Sequence, residues 1–553
     1  MAYLSFFWRD ECGSRDMKKA ASIVIAGLLA ACLLWCRPAA GESELIIDAR
    51  RRAAVEGCSD EFAVVSNRLR WRASETALII CDMWDRHWCK GATRRVAELA
   101  VRLNEFSCAA REKGVLIVHA PSDTMGYYED HAGRNLARAA SEATSLPDGI
   151  EKWCRWISDR EKAAYPIDQS DGGCDCDPQC QSGKAWTRQI ETIAIHEADI
   201  ISDRGAEIWN VFEQRGIKNV LVAGVHTNMC VLGRPFGLRN MARFGKNVVL
   251  VRDLTDTMYN HRMRPYVSHF TGTDLIVEHI EKYVCPTITS SFLTGKAPFR
   301  FCEDKRDLVV FLSAESEYDA SRTLASFAHE LALKYGPACE ILQGSTKAED
   351  PERNYLGGLS ALVDAEAAVV FVRRRALPGE QMKLLRGFVA SGRGVVGIRT
   401  ASHAFALRGE VPAGLAVWPE FDGEVLGGNY HGHHGNKGED EPRSYVWVES
   451  GVESHEIVSG VPGGPIEVRS WLYKTSPLSE GATVLMMGRV GDRKPHEPVT
   501  WTYRRAGGGR AFYTSLGHPE DFKMPWFSQM LVKGVFWAMG KELPSSTEAP
   551  KSN

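Results

Sequence analysis

Apolar runs of strand length alternate with helix-patterned segments through most of the chain. Few architectures absorb such an alternation other than a parallel sheet whose strands are joined by helices packed on its two faces. The runs fall into two blocks. In the first they are ALIICDM (77–83), GVLIVHA (114–120), NVLVAGV (219–225) and NVVLVRD (247–253). Between them, RRVAELAVRLNEFSCAAREKG and GAEIWNVFEQRG have helical spacing and each closes on a glycine, a common helix terminator. The second block restarts at DLVVFLSA (307–314) and continues through AAVVFVRR (367–374), GVVGIRTASHAF (394–405), ATVLMMGRV (482–490) and GRAFYTSLGHPEDF (509–522) to a helical C-terminal stretch. The expected fold class is α/β, with two three-layer α/β/α domains built on mainly parallel sheets.

Length agrees with more than one core: at about 150 residues per domain, 553 residues correspond to two to four. We place one domain at 43–290, a linker at 291–306 containing Gly-Lys-Ala-Pro, a second domain at 307–542 and a disordered tail at 543–553. The two blocks, each with its own strands, are expected to fold separately. A composition of 44% hydrophobic and 25% charged residues is that of a globular chain, and a net charge of -3 offers no basic footprint for nucleic acid.

Residues 1–41 differ from the rest. MKKAASIVIAGLLAACLLWC joins two lysines to an apolar run of export-signal length, with Met17 as the expected start. The run is shorter than the roughly 20 residues needed to span a bilayer. Processing is expected either near Ala39-Ala40-Gly41 or by lipid attachment at Cys32, because Leu29-Ala30-Ala31-Cys32 resembles a bacterial lipobox. The protein is therefore expected to be exported: periplasmic, extracellular or lipid-anchored. Of 15 cysteines, the densest group is Cys174, Cys176 and Cys180 in DGGCDCDPQC, with Cys154 upstream. In an exported chain such a group suits disulfides or a structural loop better than zinc, since the paired Cys-x-x-Cys spacing of zinc ribbons is missing.

Two residues in the first block suggest chemistry. Asp82 closes the first strand, and Cys230 follows the strand ending at Val225, so both should face the crevice beyond the strand ends. A carboxylate beside a thiol can take its proton. Taken singly, Asp at a strand end is often a turn residue and Cys is often simply buried.

ALIICDMWDRHWC resembles the opening strand of the isochorismatase-like cysteine hydrolases, the superfamily that includes nicotinamidases. RGIKNVLVAGVHTNMCV is similar to that superfamily's nucleophile segment, Gly-Val-x-Thr-x-x-Cys-Val. The resemblance implies Cys230 as nucleophile and Asp82 as base. It also implies a cis Val225-His226 bond that turns backbone N–H groups, with that of Cys230, into an oxyanion hole. Cys230 is accordingly expected to be the most reactive thiol of the chain. The family's Lys is missing: HEADIISDRGAEIWNVF puts Arg204, or Asp203 beside it, in its place, with Lys90 and Lys184 as other candidate cations. The expected pocket comprises Trp84, Asp85, His119, Asp123, Asp256 and Tyr259, with Asp253 and His269 near the same sheet edge. His119, Asp123 and His131 do not form a defensible metal-ligand set, so no cofactor is expected to be required, and whether a metal binds stays open.

In the second block, GRGVVGIRTASHAF runs from a strand through a sharp turn into a helix, as at a nucleophile elbow, but the turn holds Thr400, Ala401 and Ser402. With WPEFDGEVLGGNYHGHHG and AFYTSLGHPEDF, the block resembles ThuA-like (trehalose-utilisation) domains of the glutamine amidotransferase-like fold. The glutaminase cysteine is absent, so ammonia release is not expected here. A ligand site is expected from Arg399, His403, Glu420, His431, His433 and His518, together with Trp418, Asn429 and His434. The family name points to a carbohydrate ligand. The resulting expectation is an exported cysteine hydrolase that cleaves an amide or related C–N bond of a small molecule, with an accessory second domain. The alternative is a degenerate binding or scaffold protein. Oligomeric state stays open.

Overall fold

In a computed structural model, residues 43–544 are described, so the segment expected to act in export, Cys32 and most of the tail lie outside the described residues. No helix among the described residues is long and apolar enough to cross a membrane.

The first sheet contains β1 (Glu44–Val55), β2 (Cys58–Arg72), β3 (Thr76–Cys81), β4 (Leu116–Ala120), β5 (Ile200–Ile201), β6 (Asn219–Val225), β7 (Asn247–Asp256) and β8 (Thr287–Ile288). Their order is β2-β1-β8-β7-β6-β3-β4-β5. From β8 to β5 every pairing is parallel, and β1 joins β8 antiparallel. Every residue of β3 and β6 is buried. Helices cover both faces, so these strands read as unbroken apolar runs rather than as alternations.

The covering helix Lys90–Lys113 buries Val96, Leu99, Ala100, Leu103, Phe106 and Ala110, the three-and-four spacing of one helical face. It ends where Gly114, at φ 94, returns its N–H to the carbonyls of Ala110 and Arg111. Only a residue without a Cβ takes that conformation freely.

The second sheet contains β9 (Leu308–Ala314), β10 (Ala338–Gln343), β11 (Ala367–Val372), β13 (Gly394–Ile398), β15 (Ser444–Val448), β16 (Ile466–Val468), β17 (Ala482–Val490), β18 (Glu497–Arg504) and β19 (Arg510–Thr514). A small separate pair is formed by β12 (Leu377–Pro378) and β14 (Leu415–Ala416). The order β10-β9-β11-β13-β19-β18-β17-β15-β16 divides the large sheet into two parts. The part from β10 to β19 is parallel, and the part from β19 to β16 is antiparallel.

The hairpin β1–β2 joins the two halves. Val64 of β2 is buried in the core formed by Leu324, Phe327, Ala328 and Leu331 on the second sheet's helix Ala320–Tyr335. Arg50 of β1 is paired with Glu281 at 2.9 Å and with Glu340 of β10 at 3.0 Å. The segment read as a linker is tied down as well. Phe301 is buried in the first sheet's core with Phe299 packed against it. The Phe299 N–H donates to Asp253 at 2.8 Å, and the Cys302 N–H donates to Glu98 at 2.6 Å. Asp253 thus serves this segment: it also accepts from the N–H and hydroxyl of Ser290.

Candidate active site

Strands β3 and β6 are neighbours whose connections leave in opposite directions, β3 to β4 on one side and β6 to β7 on the other. Such a switch point opens a crevice at the carboxyl ends of the strands. The register pairs Cys81 with Gly224, so the residues that follow them emerge side by side. The approach is close: a Cβ on Gly224, at φ 110, would lie 2.1 Å from the Cys81 carbonyl oxygen. Asp82 leaves β3 with φ 47, and its N–H donates to the Ala120 carbonyl at 3.1 Å. The peptide Val225-His226 is cis and leads into the helical turn Thr227–Val231, which carries Cys230.

This turn brings the Cys230 thiol beside Asp82, close enough for each to shift the other's proton affinity. The Asp82 carboxylate is fully buried and accepts twice more, from the Ser122 N–H at 2.8 Å and from Arg234 Nε at 3.2 Å. Arg234 lies four residues after Cys230, one helical turn, so both project from one face. Its second arm reaches Asp123 at 3.3 Å, and its guanidinium lies 4.7 Å over the Trp153 ring. Burial pushes Asp82 above the usual carboxylate value, with Arg234 opposing the shift. Burial, then the adjacent Asp82 charge, pushes the Cys230 thiol well up. The site thus sets Asp82 against Arg234 at 3.2 Å, with the buried thiol, whose proton is held more tightly than usual, beside them.

Arg204, expected at the position of the family's Lys, is not part of this cluster. Its side chain is 59% exposed and reaches Glu151 at 3.6 Å. It precedes the helix Gly205–Arg215 as the N-cap residue, and that position directs it to solvent. Asp203 accepts from the Asp123 N–H at 2.9 Å, and Lys184 donates to the Asp123 carbonyl at 2.9 Å, so both brace the rim rather than the thiol. Lys90 is exposed. The cation beside Cys230 and Asp82 is Arg234, and its spacing of four residues from Cys230 is the signal for it in the sequence.

The other expected pocket residues divide. Trp84 follows Asp82, donates through Nε1 to the Ser122 carbonyl and stacks on Trp186 with ring centres 4.3 Å apart. His87 extends this stack and meets His226 edge-on at 4.9 Å. Both ring nitrogens of His226 are buried and lack a hydrogen-bond partner. Burial lowers His226 to about 3 and His87 to about 4, so both rings are neutral near pH 7. Asp123 is at the site through Arg234. Asp85 accepts from the Thr187 hydroxyl and N–H, holding the segment that carries Trp186.

His119, Asp256 and Tyr259 serve the frame instead. His119 bridges Gln189 and Asp199 at 3.0 and 3.1 Å. Asp256 is buried between Arg95 and His269, and Arg95 with these partners holds it well below the usual carboxylate range. The Tyr259 hydroxyl donates to the Met263 carbonyl. His131 caps the helix Ala132–Arg138 by accepting from the Gly133 N–H. Among the described residues, His119, Asp123 and His131 do not form a group of converging metal ligands.

A second cluster lies at the carboxyl end of β13. There Arg399, not the Thr-Ala-Ser that follows, takes the left-handed backbone, φ 45. Its buried guanidinium donates to the Ser515 carbonyl at 2.7 Å and to the Tyr318 hydroxyl at 3.2 Å, and lies 4.8 Å over Tyr473. His403 stacks on Tyr430 at 4.5 Å, and Tyr430 packs on Tyr473 at 4.7 Å. Burial, with Arg374, Arg373, Arg399 and Arg408 nearby, lowers His403 to about 2. His433 reaches this cluster through Trp471, and His518 does so through Tyr318.

Glu420 and His431 are exposed, His434 pairs with Glu497, and Trp418 donates to Glu424 in the core. Asn429 donates to the Ser476 carbonyl at 3.4 Å. The HGHH histidines therefore point to different neighbours and do not gather around one point.

With this geometry in place, comparison with known proteins gives one family match. The family model ThuA, trehalose utilisation, matches residues 346–538. The matched segment lies in the C-terminal half. Similar solved structures include a ThuA-like protein from Bacteroides uniformis, at 16% identity over 44% of this chain and 94% of that one, TM-score 0.32. A ThuA-like protein from Parabacteroides merdae shares 18% identity over 45% of this chain and 94% of its own, TM-score 0.32. A cysteine hydrolase from Pseudomonas syringae pv. phaseolicola shares 16% identity over 41% of this chain and 93% of its own, TM-score 0.26. No curated protein matches the chain.

Proposed function

We propose that the N-terminal half is a cysteine hydrolase that cleaves an amide or related C–N bond of a small molecule. The observation that carries this reading is the buried Cys230 thiol beside Asp82, which is itself paired with Arg234 at the strand switch point. Asp82 takes the thiol proton as sulfur attacks the carbonyl carbon. One negative charge moves from carboxylate to sulfur, and Arg234 stays beside both, so no net charge is created in the dry site. Asp82 then returns the proton to the departing nitrogen, the C–N bond breaks and a thioester remains. Water, deprotonated by Asp82, attacks the thioester, the C–S bond breaks and the thiol is restored.

Backbone N–H groups of the His226–Cys230 turn serve the oxyanion. Trp84 and Trp186 offer a flat apolar wall, and His226 supplies a neutral ring with free nitrogens, so a planar amide suits the site best. The ThuA-like domain adds an aromatic, cationic cleft around Arg399, suited to a hydroxylated or anionic carbohydrate. Export, to the periplasm, the extracellular space or a lipid anchor, completes the reading.

The test is ammonia release from small primary amides, nicotinamide among them, by the wild-type chain, Cys230→Ala and Asp82→Asn. Activity lost in both variants, with a wild-type thioester adduct trapped at Cys230 by mass spectrometry, is the expected result. Hydrolysis that survives Cys230→Ala would remove the covalent mechanism, and an inert wild type across the panel would favour a binding or scaffold role.

A further inference from the structure

Away from Cys230, three cysteines from two distant parts of the chain converge, with a fourth packed beside them. Cys89 is the N-cap residue of the helix Lys90–Lys113, and Cys174, Cys176 and Cys180 come from the loop DGGCDCDPQC. The sulfurs of Cys89, Cys174 and Cys176 lie within 4.8 Å of one another, and those of Cys89 and Cys176 are 3.8 Å apart. Sulfurs bound at about 2.3 Å to a tetrahedral zinc stand about 3.8 Å apart, whereas a disulfide needs about 2.05 Å.

Three of the four sulfurs also accept a backbone N–H. Gly91 donates to Cys176 at 3.3 Å, Lys90 to Cys180 at 3.5 Å, and Cys180 itself to Cys174 at 3.5 Å. Two of these donors are among the first free N–H groups of a 24-residue helix, a setting that favours negative charge. Neutral thiols accept hydrogen bonds weakly; donors aimed at three sulfurs suit thiolates.

The geometry points to a closed zinc site on the converging thiolates of Cys89, Cys174 and Cys176, with Cys180, tied to them through its own N–H on Cys174, closing on the ion as fourth ligand. Each thiol gives up its proton to solvent on binding, and with four protein ligands no coordination position is left for chemistry, so the role is structural. Asp175, between two of the ligands, pairs with Arg95 at 3.0 Å and with His269 at 3.2 Å. The same loop leads to Trp186, which stacks on Trp84 next to Asp82. The metal would thus pin the segment that walls the nucleophile site to the start of the first covering helix.

The experiment is metal analysis of the purified full chain by mass spectrometry, with X-ray absorption at the zinc edge. About one zinc per chain with a shell of sulfur only is expected, reduced at least several-fold in Cys176→Ser and in Cys180→Ser and retained in Cys302→Ser. Since the ligand variants could misfold, the wild-type chain refolded with cobalt(II) provides a second readout, the intense visible bands of tetrahedral cobalt thiolate. A metal-free chain with the four cysteines as free thiols or disulfides would overturn the assignment. So would a zinc shell of nitrogen or oxygen, full retention of zinc in the Cys176→Ser/Cys180→Ser double variant, or cobalt without thiolate bands.

Discussion

Cys230 and Arg234 are one helical turn apart and share Asp82, whereas Arg204 is in solvent with Glu151. Arg234→Ala leaves Asp82 buried without its cation and the forming thiolate without a partner. Amide turnover is expected to fall on the order of 10²-fold or more, about 3 kcal/mol, while Arg204→Ala stays at the wild-type rate. Equal losses in steady-state assays of the two variants would contradict this assignment. The same burial changes the expected thiol reactivity. A neutral Cys230, 7% exposed, has no advantage over the exposed Cys58 and Cys302 towards a general alkylating agent, so selective labelling needs a substrate-like electrophile.

Asp422, in the ThuA-like domain, carries a different charge cost. Burial raises it to about 7, and its one strong donor is the Tyr430 N–H at 2.7 Å. A carboxyl raised in the fold contributes stability that is full below its unfolded value near 4 and is lost as pH rises towards about 7. Asp422→Asn should flatten this part of the stability profile, a loss of on the order of a few kcal/mol in the wild type. Urea titrations at pH 5 and pH 8, which span most of the window between about 4 and about 7, decide it; parallel profiles would rule the effect out.

At the scale of elements, the site depends on how closely β6 lies against β3. Gly224 permits that approach at the residue paired with Cys81, immediately before the turn that carries the nucleophile. Gly224→Ala would force a Cβ into the Cys81 carbonyl and an L side chain into a left-handed backbone. A stability loss of at least about 3 kcal/mol is expected, together with loss of the Cys230–Asp82 contact. A thermal midpoint unchanged from wild type would show that the strands can separate at little cost. The strands themselves were readable because β3, β4, β6 and β7 are buried on both faces and have no polar alternation to obscure them. The hairpin β1–β2 was not. Its Arg-rich faces are only partly buried, and the charges are satisfied by partners far along the chain, such as Glu281 for Arg50 and Arg52.

For the whole molecule, that hairpin changes what the two blocks mean. Each has its own sheet, yet Val64 completes the second core, Arg68 lies 4.0 Å over Tyr355, and Arg252 and Arg50 both pair with Glu340. A chain beginning at residue 301 lacks all of these and leaves Glu340 without either arginine. Its urea midpoint should fall below that of the same sheet in the full chain, read by site-specific hydrogen exchange in β9 to β11. Equal protection in both would show that the shared surface adds nothing.

What the sequence by itself determined follows from local chemistry. Apolar runs of strand length joined by helical periodicity leave a covered parallel sheet as the solution, and the Asp-ended strand and Cys-bearing turn are short motifs read in one place each. Other features needed the fold. Arg234 replaces Arg204 because only the direction of the turn after β6 decides which guanidinium reaches Asp82. The left-handed backbone falls on Arg399 rather than on the Ser or Thr beside it because the surrounding rings and carbonyls hold that arginine. Cys89 meets Cys174 and Cys176 across more than eighty residues because packing, not spacing, sets distances between remote segments. A sequence records which groups are present and what their neighbours favour; which charges and sulfurs meet is settled by how the sheets and loops close.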